Sequence, residues 1–217
     1  FPLAAAIALA IPFVRAGHRR NYFFIGLLAL LSAAAAWVHL ALLGVLPWPG
    51  RVGLQVALDV VLFIVAVMAG RVVPMFTNNG VRGARATRHP LIEKLALGSL
   101  LALLVADLSP LPGAVLAALA ALACAAHLAR WWLWQPWTTW HTPLVWVLHA
   151  AYLWIPVHLA LRAAAALGMV SGSHATHALM VGAAGGLIIG MMTRTARGHT
   201  ARPLRADSAD IACYALV

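Results

Sequence analysis

Histidines embedded in apolar sequence are the feature of this chain that best predicts its chemistry. Six of its ten histidines lie within or at the edge of long apolar segments, namely His39, His127, His149, His158, His174 and His177. An ionisable side chain in bilayer hydrocarbon costs about 2.5–3.5 kcal/mol on insertion scales and usually faces the interior of a helix bundle. Since imidazole is also the commonest metal-ligating side chain, the pattern predicts a membrane protein with a group bound inside it.

The composition argues against a water-soluble domain. Apolar residues make up 64% of the 217 residues and charged residues only 9%, whereas a soluble domain carries about 25% charged residues. The formal charge of +10 would suit a nucleic-acid partner. We expect no such partner, because the basic residues lie in short loops between apolar runs. Cys124 and Cys213 provide neither a disulfide framework nor a CxxC redox pair.

Apolar runs long enough to cross a bilayer follow one another along the chain. They predict an all-α, polytopic transmembrane helix bundle of about seven spans. The predicted spans are Phe1–Val14, Tyr22–Leu46, Val52–Val73, Ile92–Leu108, Gly113–Leu133, Pro143–Leu167 and Ala175–Thr193. We expect residues 1–217 to form a single integral-membrane domain that is truncated at both ends, because both ends lie in apolar runs.

Positive charge alternates from one loop to the next. The odd loops are basic, with Arg15, Arg19 and Arg20 in the first, Arg82, Arg85, Arg88 and Lys94 in the third, Arg130 beside the fifth, and Arg194, Arg197, Arg202 and Arg205 in the last. The even loops hold almost no Lys or Arg. Because cytoplasmic loops carry the excess of these residues, the alternation places the first loop in the cytoplasm and supports the number of spans.

Tryptophans cluster at the fifth loop: Trp131, Trp132, Trp134, Trp137 and Trp140. Tryptophan favours the boundary between water and lipid. We therefore interpret most of this cluster as an anchor at the membrane interface.

The position of each ionisable group in its span predicts its depth, since a helix rises about 1.5 Å per residue. His39 and Asp59 lie equally far from the turn that joins their two spans, which places both about 10 Å below the outer surface. His158 should lie slightly deeper. His174 and His177 are one turn apart on one helix face, at the same outer end. These five groups form a predicted outer layer.

A second, inner layer is predicted near the cytoplasmic side. His127 and His149 match in depth there. His149 and His158 are nine residues apart and so point to roughly opposite faces of one helix, unless Pro156 between them kinks it.

Two kinds of chemistry fit these layers. Neutral imidazoles suit iron and copper, and facing histidines in a membrane bundle can hold haem axially. Asp59 is then a candidate acceptor that orients His39, and Arg162, four residues after His158, is a candidate partner for a carboxylate or a haem propionate. The alternative is a relay for protons or ions. Any one of these histidines, taken singly, is more often a buried imidazole bonded to a neighbouring carbonyl or hydroxyl.

The last complete span carries a stripe of small residues. Ala178, Gly182, Gly186 and Gly190 recur every four residues, and His174 continues the row. This spacing lets two helices approach closely. We expect the stripe to pack against a neighbouring helix and to hold His174 or His177 rigidly.

Two predicted cytoplasmic segments stand apart from the apolar background. The first is Gly70–Gly80, in which Pro74 is expected to end a helix and Asn79-Gly80 to form a turn. The second is Met192–Leu204, which includes Arg194, Gly198 and His199. Taken alone, each is typical of a basic, polar loop.

Together these segments resemble two motifs of the NnrS family of bacterial membrane proteins. The first resembles its Arg-x-x-Pro-x-Phe-Thr-x-x-Gly stretch, through Arg71, Pro74 and the residues that follow. The run from His177 through the glycines to Arg194 and Gly198-His199-Thr200 resembles the longest signature of the family. His39, after Trp37, and His149-Ala150-Ala151-Tyr152-Leu153-Trp154 are also similar to family positions.

The resemblance implies a multi-pass protein of the bacterial inner membrane that contains haem and copper and is linked to nitric oxide and nitrosative stress. We expect His39, His149 and His177 to be the ligands, with His158 and His174 as further candidates for a metal and Asp59 and Arg162 supporting them. Arg71, Pro74, Asn79, Arg194 and His199 are expected to shape the cytoplasmic face. The family's amino-terminal His-x-His-Glu-Met segment is absent from this sequence. We therefore expect the chain to hold only part of any site built with that missing segment.

Two other functions remain open at the level of sequence. The buried His and Asp side chains would also serve a secondary transporter that moves protons or ions. A non-catalytic membrane factor that assists a respiratory enzyme would need these histidines only for packing. The residues identify no reaction, and the expected partners are the lipid bilayer and a small neutral gas such as nitric oxide.

Overall fold

The computed structural model describes residues 2–17 and 21–216, and that part of the chain contains helices and no strands. The helices are α1 (Pro2–Arg15), α2 (Tyr22–Leu42), α3 (Gly50–Gly80), α4 (Pro90–Asp107), α5 (Gly113–Leu133), α6 (Pro143–Ala166), α7 (Gly172–His177), α8 (Gly186–His199) and α9 (Ser208–Leu216). A π-helical segment, Ala178–Gly185, joins α7 to α8 without a break. The all-α prediction is confirmed. Phe1, Arg19, Arg20 and Val217, which entered the predictions of spans and charge, lie outside the described residues.

Five helical segments are long and apolar enough to cross a membrane: Tyr22–Leu42, Gly50–Gly80, Gly113–Thr138, Pro143–Ala166 and Gly172–His199. They establish a multi-pass architecture. The other two predicted spans are also helical, but α1 has only 14 residues, and the 18 residues of α4 include the charged Glu93, Lys94 and Asp107. The count of seven spans stays a prediction.

Pro74 does not end α3, contrary to the sequence prediction. The helix continues to Gly80, although proline has no N–H for the carbonyl four residues earlier. That carbonyl belongs to Gly70, and it accepts a hydrogen bond from Arg88 Nη1 at 3.4 Å instead. One turn on, the Thr77 hydroxyl donates to the Val73 carbonyl at 2.9 Å. Side chains thus supply partners around the position where the helix backbone lacks a donor.

The predicted loop Met192–Leu204 is also mostly helical, since α8 continues to His199. Arg197, in the last turn of α8, forms an ion pair with Asp207 at 2.6 Å and a second one with Asp210. The backbone N–H of Asp210 donates to the Asp207 carboxylate at 2.9 Å. This hydrogen bond, together with Arg197, lowers the pKa of Asp207. The end of α8 is therefore tied to the start of α9.

The chain divides into two compact units. The first runs up to Ile64 and includes Leu103–Leu111; the second comprises Val65–Ala102 and Pro112–Val217. Ala34, Val56 and Val60 form the core of the first unit. There, a Cβ at Gly53 would lie 2.8 Å from the Ala34 carbonyl oxygen, so that α2 and α3 approach closely. The second unit contains most of the buried polar groups.

The small-residue stripe packs against α6, as the sequence predicts. A Cβ added at Gly186 would lie 2.7 Å from the Ala151 Cβ, and one at Gly190 would lie 2.8 Å from the Leu148 side chain. At Gly182 the added atom would overlap the Trp154 ring. Each of these glycines therefore lets the helix backbone approach a side chain of α6.

Replacing Gly186 by leucine is expected to destabilise the second unit by about 1–3 kcal/mol, the usual cost of overpacking. The added side chain meets Ala151 of α6 and forces the two helices apart. The measurement is the unfolding midpoint of the detergent-solubilised protein in an SDS titration. Gly198→Leu is the matched control, because nothing lies within 4 Å of a Cβ at Gly198. Equal midpoints for the two variants would contradict the packing described here.

Candidate functional site

His174 and His177 present the same ring nitrogen to their surroundings. In His177, Nδ1 lies 2.7 Å from the Ser173 carbonyl, and in His174 it lies 3.1 Å from the Ser171 carbonyl. A carbonyl only accepts, so Nδ1 carries the proton and Nε2 carries a lone pair. No hydrogen bond within residues 2–17 and 21–216 involves either Nε2 atom. Metal-ligating histidines are typically held in this way, with the other nitrogen donating to a backbone carbonyl.

The two imidazoles line an open groove of about 420 Å³ on the second unit. The other lining residues are Trp154, Leu161, Ala178, Val181 and Gly182. Small-molecule sites occupy about 300–1,000 Å³ and are mostly apolar with a few polar groups. The groove matches that description, because its two imidazoles are the polar side chains of an otherwise apolar lining.

His158 packs against the turn of helix that carries this pair. It is buried on α6, and its Nδ1 donates to the Ala175 carbonyl at 2.7 Å. Ala175 lies between His174 and His177 in sequence. Three residues of the predicted outer layer, His158, His174 and His177, therefore lie around α7. Arg162 is half-buried one turn further along α6.

His149 bonds Thr77 through Nε2. The Nε2 atom lies 2.8 Å from the Thr77 hydroxyl, which also bonds the Val73 carbonyl. Nδ1 of His149 is buried and has no hydrogen-bond partner in the part of the chain that the structure describes. His149 as a whole is only 2% exposed.

His149 also lines a second cavity, of about 490 Å³. Tryptophans from the end of α5, the following turn and the start of α6 form most of its wall: Trp131, Trp132, Trp137, Trp140 and Trp146. The indole N–H of Trp131 donates to the His149 carbonyl at 3.0 Å. The predicted tryptophan cluster is thus the wall of a cavity, and Trp134 is fully buried rather than interfacial.

His127 forms part of a closed hydrogen-bond network. Its Nε2 donates to the Ala96 carbonyl at 3.2 Å, and its Nδ1 accepts from the Tyr152 hydroxyl at 2.6 Å. Both ring nitrogens are therefore occupied, which indicates a structural role. The Trp134 ring lies 4.5 Å from Tyr152 and 6.5 Å from His149 between centroids. The predicted inner layer of His127 and His149 is thus connected through aromatic rings.

Arg130 holds the other end of this network. It is 1% exposed and forms a two-pronged ion pair with Glu93, with N–O distances of 2.8 and 2.6 Å. Its Nη1 donates to the Ala66 carbonyl at 2.8 Å and to Tyr152 at 3.3 Å. A side chain at Gly70 would overlap the guanidinium. Arg130 is therefore a buried structural cation, not the loop charge that the sequence analysis assigned.

The first unit contains the remaining predicted site residues. His39 is exposed near the end of α2. Asp59 is 3% exposed on α3 and accepts a hydrogen bond from Gln55 Nε2 at 3.1 Å. The role of His39 as a ligand and of Asp59 as its orienting acceptor stay predictions.

The structure brings the two predicted cytoplasmic motifs together. The Arg194 guanidinium lies over the Phe76 ring, 3.9 Å from its centroid, which is a cation–π geometry. Pro74 is buried, Arg71 is half-buried, and Asn79 and His199 are exposed. The loop between α3 and α4 is held by Asn78, next to Asn79. Its side chain accepts a hydrogen bond from the Ala86 N–H and donates one to the Ala86 carbonyl. Helices α3 and α8 thus meet through Arg194 and Phe76.

Within the described ranges, no group of three or more His, Cys, Asp or Glu side chains is close enough to hold a metal ion. The histidines occur instead as a pair on α7 and as single rings.

These features define a multi-pass α-helical membrane protein with a paired-histidine groove and a tryptophan-lined cavity. The model of the NnrS protein family matches residues 1–217, and the chain belongs to the NnrS family. Neither the comparison with curated proteins nor that with solved structures finds a match.

Sequence reasoning missed Glu93, Tyr152 and Trp134 as parts of the buried network. A signal was present, because Glu93 and Arg130 are charges of opposite sign in neighbouring apolar segments, and such charges usually pair. The sequence analysis counted Arg130 and Lys94 only as loop charges, and so it did not consider an ion pair between Arg130 and Glu93.

Proposed function

We propose that this protein binds haem and copper in the bacterial inner membrane and takes part in nitric oxide metabolism or in resistance to nitrosative stress. The observation that carries the proposal is the pair His174 and His177, whose Nε2 lone pairs project from rings fixed by backbone carbonyls. Membership of the NnrS family supports the link to nitric oxide.

His177 would hold haem iron through its Nε2 atom. Its ring is the more firmly oriented of the pair, since its Nδ1–carbonyl distance is 2.7 Å against 3.1 Å for His174. The apolar groove beside it suits a porphyrin face. His174 lies on the same helix face, so the two imidazoles would hold separate groups. Its Nε2 would be a ligand for copper.

A copper site would need ligands in addition to His174, because no cluster of three ligating side chains occurs within residues 2–17 and 21–216. Buried His158, bonded to the same turn of helix, is one candidate. His39 and His149 stay candidates as well, although Nε2 of His149 already bonds the Thr77 hydroxyl.

Bound haem iron supplies a metal centre with affinity for nitric oxide. The protein would then provide a fixed imidazole and an apolar approach. Nitric oxide is small and neutral, so the open apolar groove would admit it without a polar channel.

The experiment that tests this proposal is the visible spectrum and metal content of the full-length protein purified in detergent. A haem Soret band with iron, which shifts on addition of nitric oxide, is the expected result. A colourless, metal-free protein that moves protons or ions across vesicles would instead identify a transporter. A colourless protein recovered only together with an oxidase or reductase would identify an assembly factor.

A further inference from the structure

The basic loop between α3 and α4 lies against the turn that forms the edge of the tryptophan-lined cavity. The Arg85 N–H donates to Gln135 Oε1 at 3.0 Å, and the Thr87 N–H donates to the Leu133 carbonyl at 3.0 Å. Gln135 directly precedes Pro136, which lines the cavity. Loop and cavity both belong to the second unit, and they are adjacent on its surface.

This loop carries positive charge that pairs with no carboxylate among the described residues. Arg82 and Arg85 are exposed, and no ion pair or side-chain hydrogen bond within residues 2–17 and 21–216 involves their guanidinium groups. The third arginine, Arg88, binds the Gly70 carbonyl at 3.4 Å. Neither the loop, residues 81–89, nor the segment 131–149 contains an Asp or Glu. The surface beside the cavity therefore favours an anion.

The cavity itself suits hydrocarbon. Five indole rings form most of its wall. Two of the polar groups there are engaged, since the Trp131 N–H donates to the His149 carbonyl and the Thr139 hydroxyl donates to the Pro136 carbonyl. His149 contributes an imidazole, but its Nε2 bonds Thr77 and its Nδ1 is buried. An apolar chain needs no such partner and therefore fits this space.

The depth of the cavity in the bilayer fits a lipid. Tryptophan favours the level of the lipid headgroups, where the phosphate and the upper part of an acyl chain meet. We propose that an anionic phospholipid binds here, with an acyl chain in the cavity and its phosphate at Arg82 and Arg85. Basic pockets between membrane helices on the cytoplasmic side recognise anionic headgroups in this way. The inference does not depend on haem binding in the other groove.

The test uses quenching of tryptophan fluorescence by brominated lipids, because bromine quenches only an indole that it approaches closely. Five of the nine tryptophans line the cavity. The full-length protein is placed in phosphatidylcholine nanodiscs with a rising fraction of brominated phosphatidylglycerol, which is anionic, or of brominated phosphatidylcholine, which has no net charge. The wild type should reach half-maximal quenching at a fraction about tenfold lower for phosphatidylglycerol, since each arginine near an anionic headgroup contributes about fivefold.

Removing the two arginines tests the site of the headgroup. Arg82→Gln combined with Arg85→Gln should reduce the preference for phosphatidylglycerol about tenfold and leave quenching by phosphatidylcholine unchanged. The matched control, Arg202→Gln combined with Arg205→Gln, removes the same charge at exposed positions outside the loop and the cavity and should keep the preference. Equal losses in the two double variants would assign the attraction to the whole surface and overturn the proposal. So would equal half-points for the two lipids in the wild type.

Ala150→Phe tests the place of the acyl chain. Ala150 lines the cavity, and a phenyl ring there would occupy the space of the chain. Quenching at low fractions of phosphatidylglycerol should be lost, with haem content unchanged. Ala160→Phe, exposed on the same helix and outside the cavity, is the control and should be quenched like the wild type. Unchanged quenching in Ala150→Phe would contradict the proposal, as would loss of haem from this variant, because the cavity would then be a haem site.

Discussion

Replacing Arg130 by methionine is expected to lower the free energy of unfolding by about 3–5 kcal/mol, because it leaves a partly buried carboxylate without its partner. The guanidinium is 1% exposed and bonds Glu93, the Ala66 carbonyl and Tyr152. Its removal thus deprives three groups of a donor. The same SDS titration proposed for the glycine variants measures the effect.

The double variant Arg130→Met, Glu93→Leu serves as the informative comparison. Replacing a buried ion pair by apolar side chains is often close to neutral, so the double variant should recover much of the stability. Arg82→Met, at an exposed position, is the control for loss of charge alone. If Arg130→Met and Arg82→Met unfold at the same SDS concentration, Arg130 is not the structural cation described here.

The second large effect is expected at the paired histidines. His177→Ala removes the proposed haem ligand and should reduce haem occupancy by tenfold or more, since loss of even a supporting group around a metal costs about 10–100-fold. His174→Ala should lower copper content and leave the Soret band in place. The measurements are the visible spectrum and iron and copper analysis of the purified variants.

Added imidazole separates ligation from folding in this experiment. A free imidazole can occupy the space left in His177→Ala and restore the spectrum, which a misfolded protein would not permit. His89→Ala and His141→Ala, two exposed histidines outside the groove, are the matched controls. Full haem content in the double variant His174→Ala, His177→Ala would refute the assignment of this groove.

The two predictions differ in how far the sequence alone supports them. The pair on α7 follows from spacing alone, because residues three apart on a helix share a face. The role of Arg130 does not, because an arginine near the end of an apolar run has the same pattern whether it faces the cytoplasm or a carboxylate on another helix.

Helix ends were predicted well where residue type decides them and poorly where tertiary contacts do. Gly113–Leu133 has the predicted bounds, since Pro112 precedes it and Pro136 follows shortly after its end. Pro74 was expected to end α3 and does not. The reason is a distant residue, Arg88, which binds the carbonyl that the proline leaves without a donor.

The sequence by itself determined the helical class, the multi-pass architecture, the close packing of the glycine stripe and the family, because each depends on local period, span length or motif. Only the tertiary structure decided which nitrogen each histidine offers. His177 presents Nε2, His149 bonds Thr77 through Nε2, and His127 has neither nitrogen free. The physical reason is that a tautomer is set by the carbonyl or hydroxyl next to the ring, and for His127 and His149 that neighbour belongs to another helix.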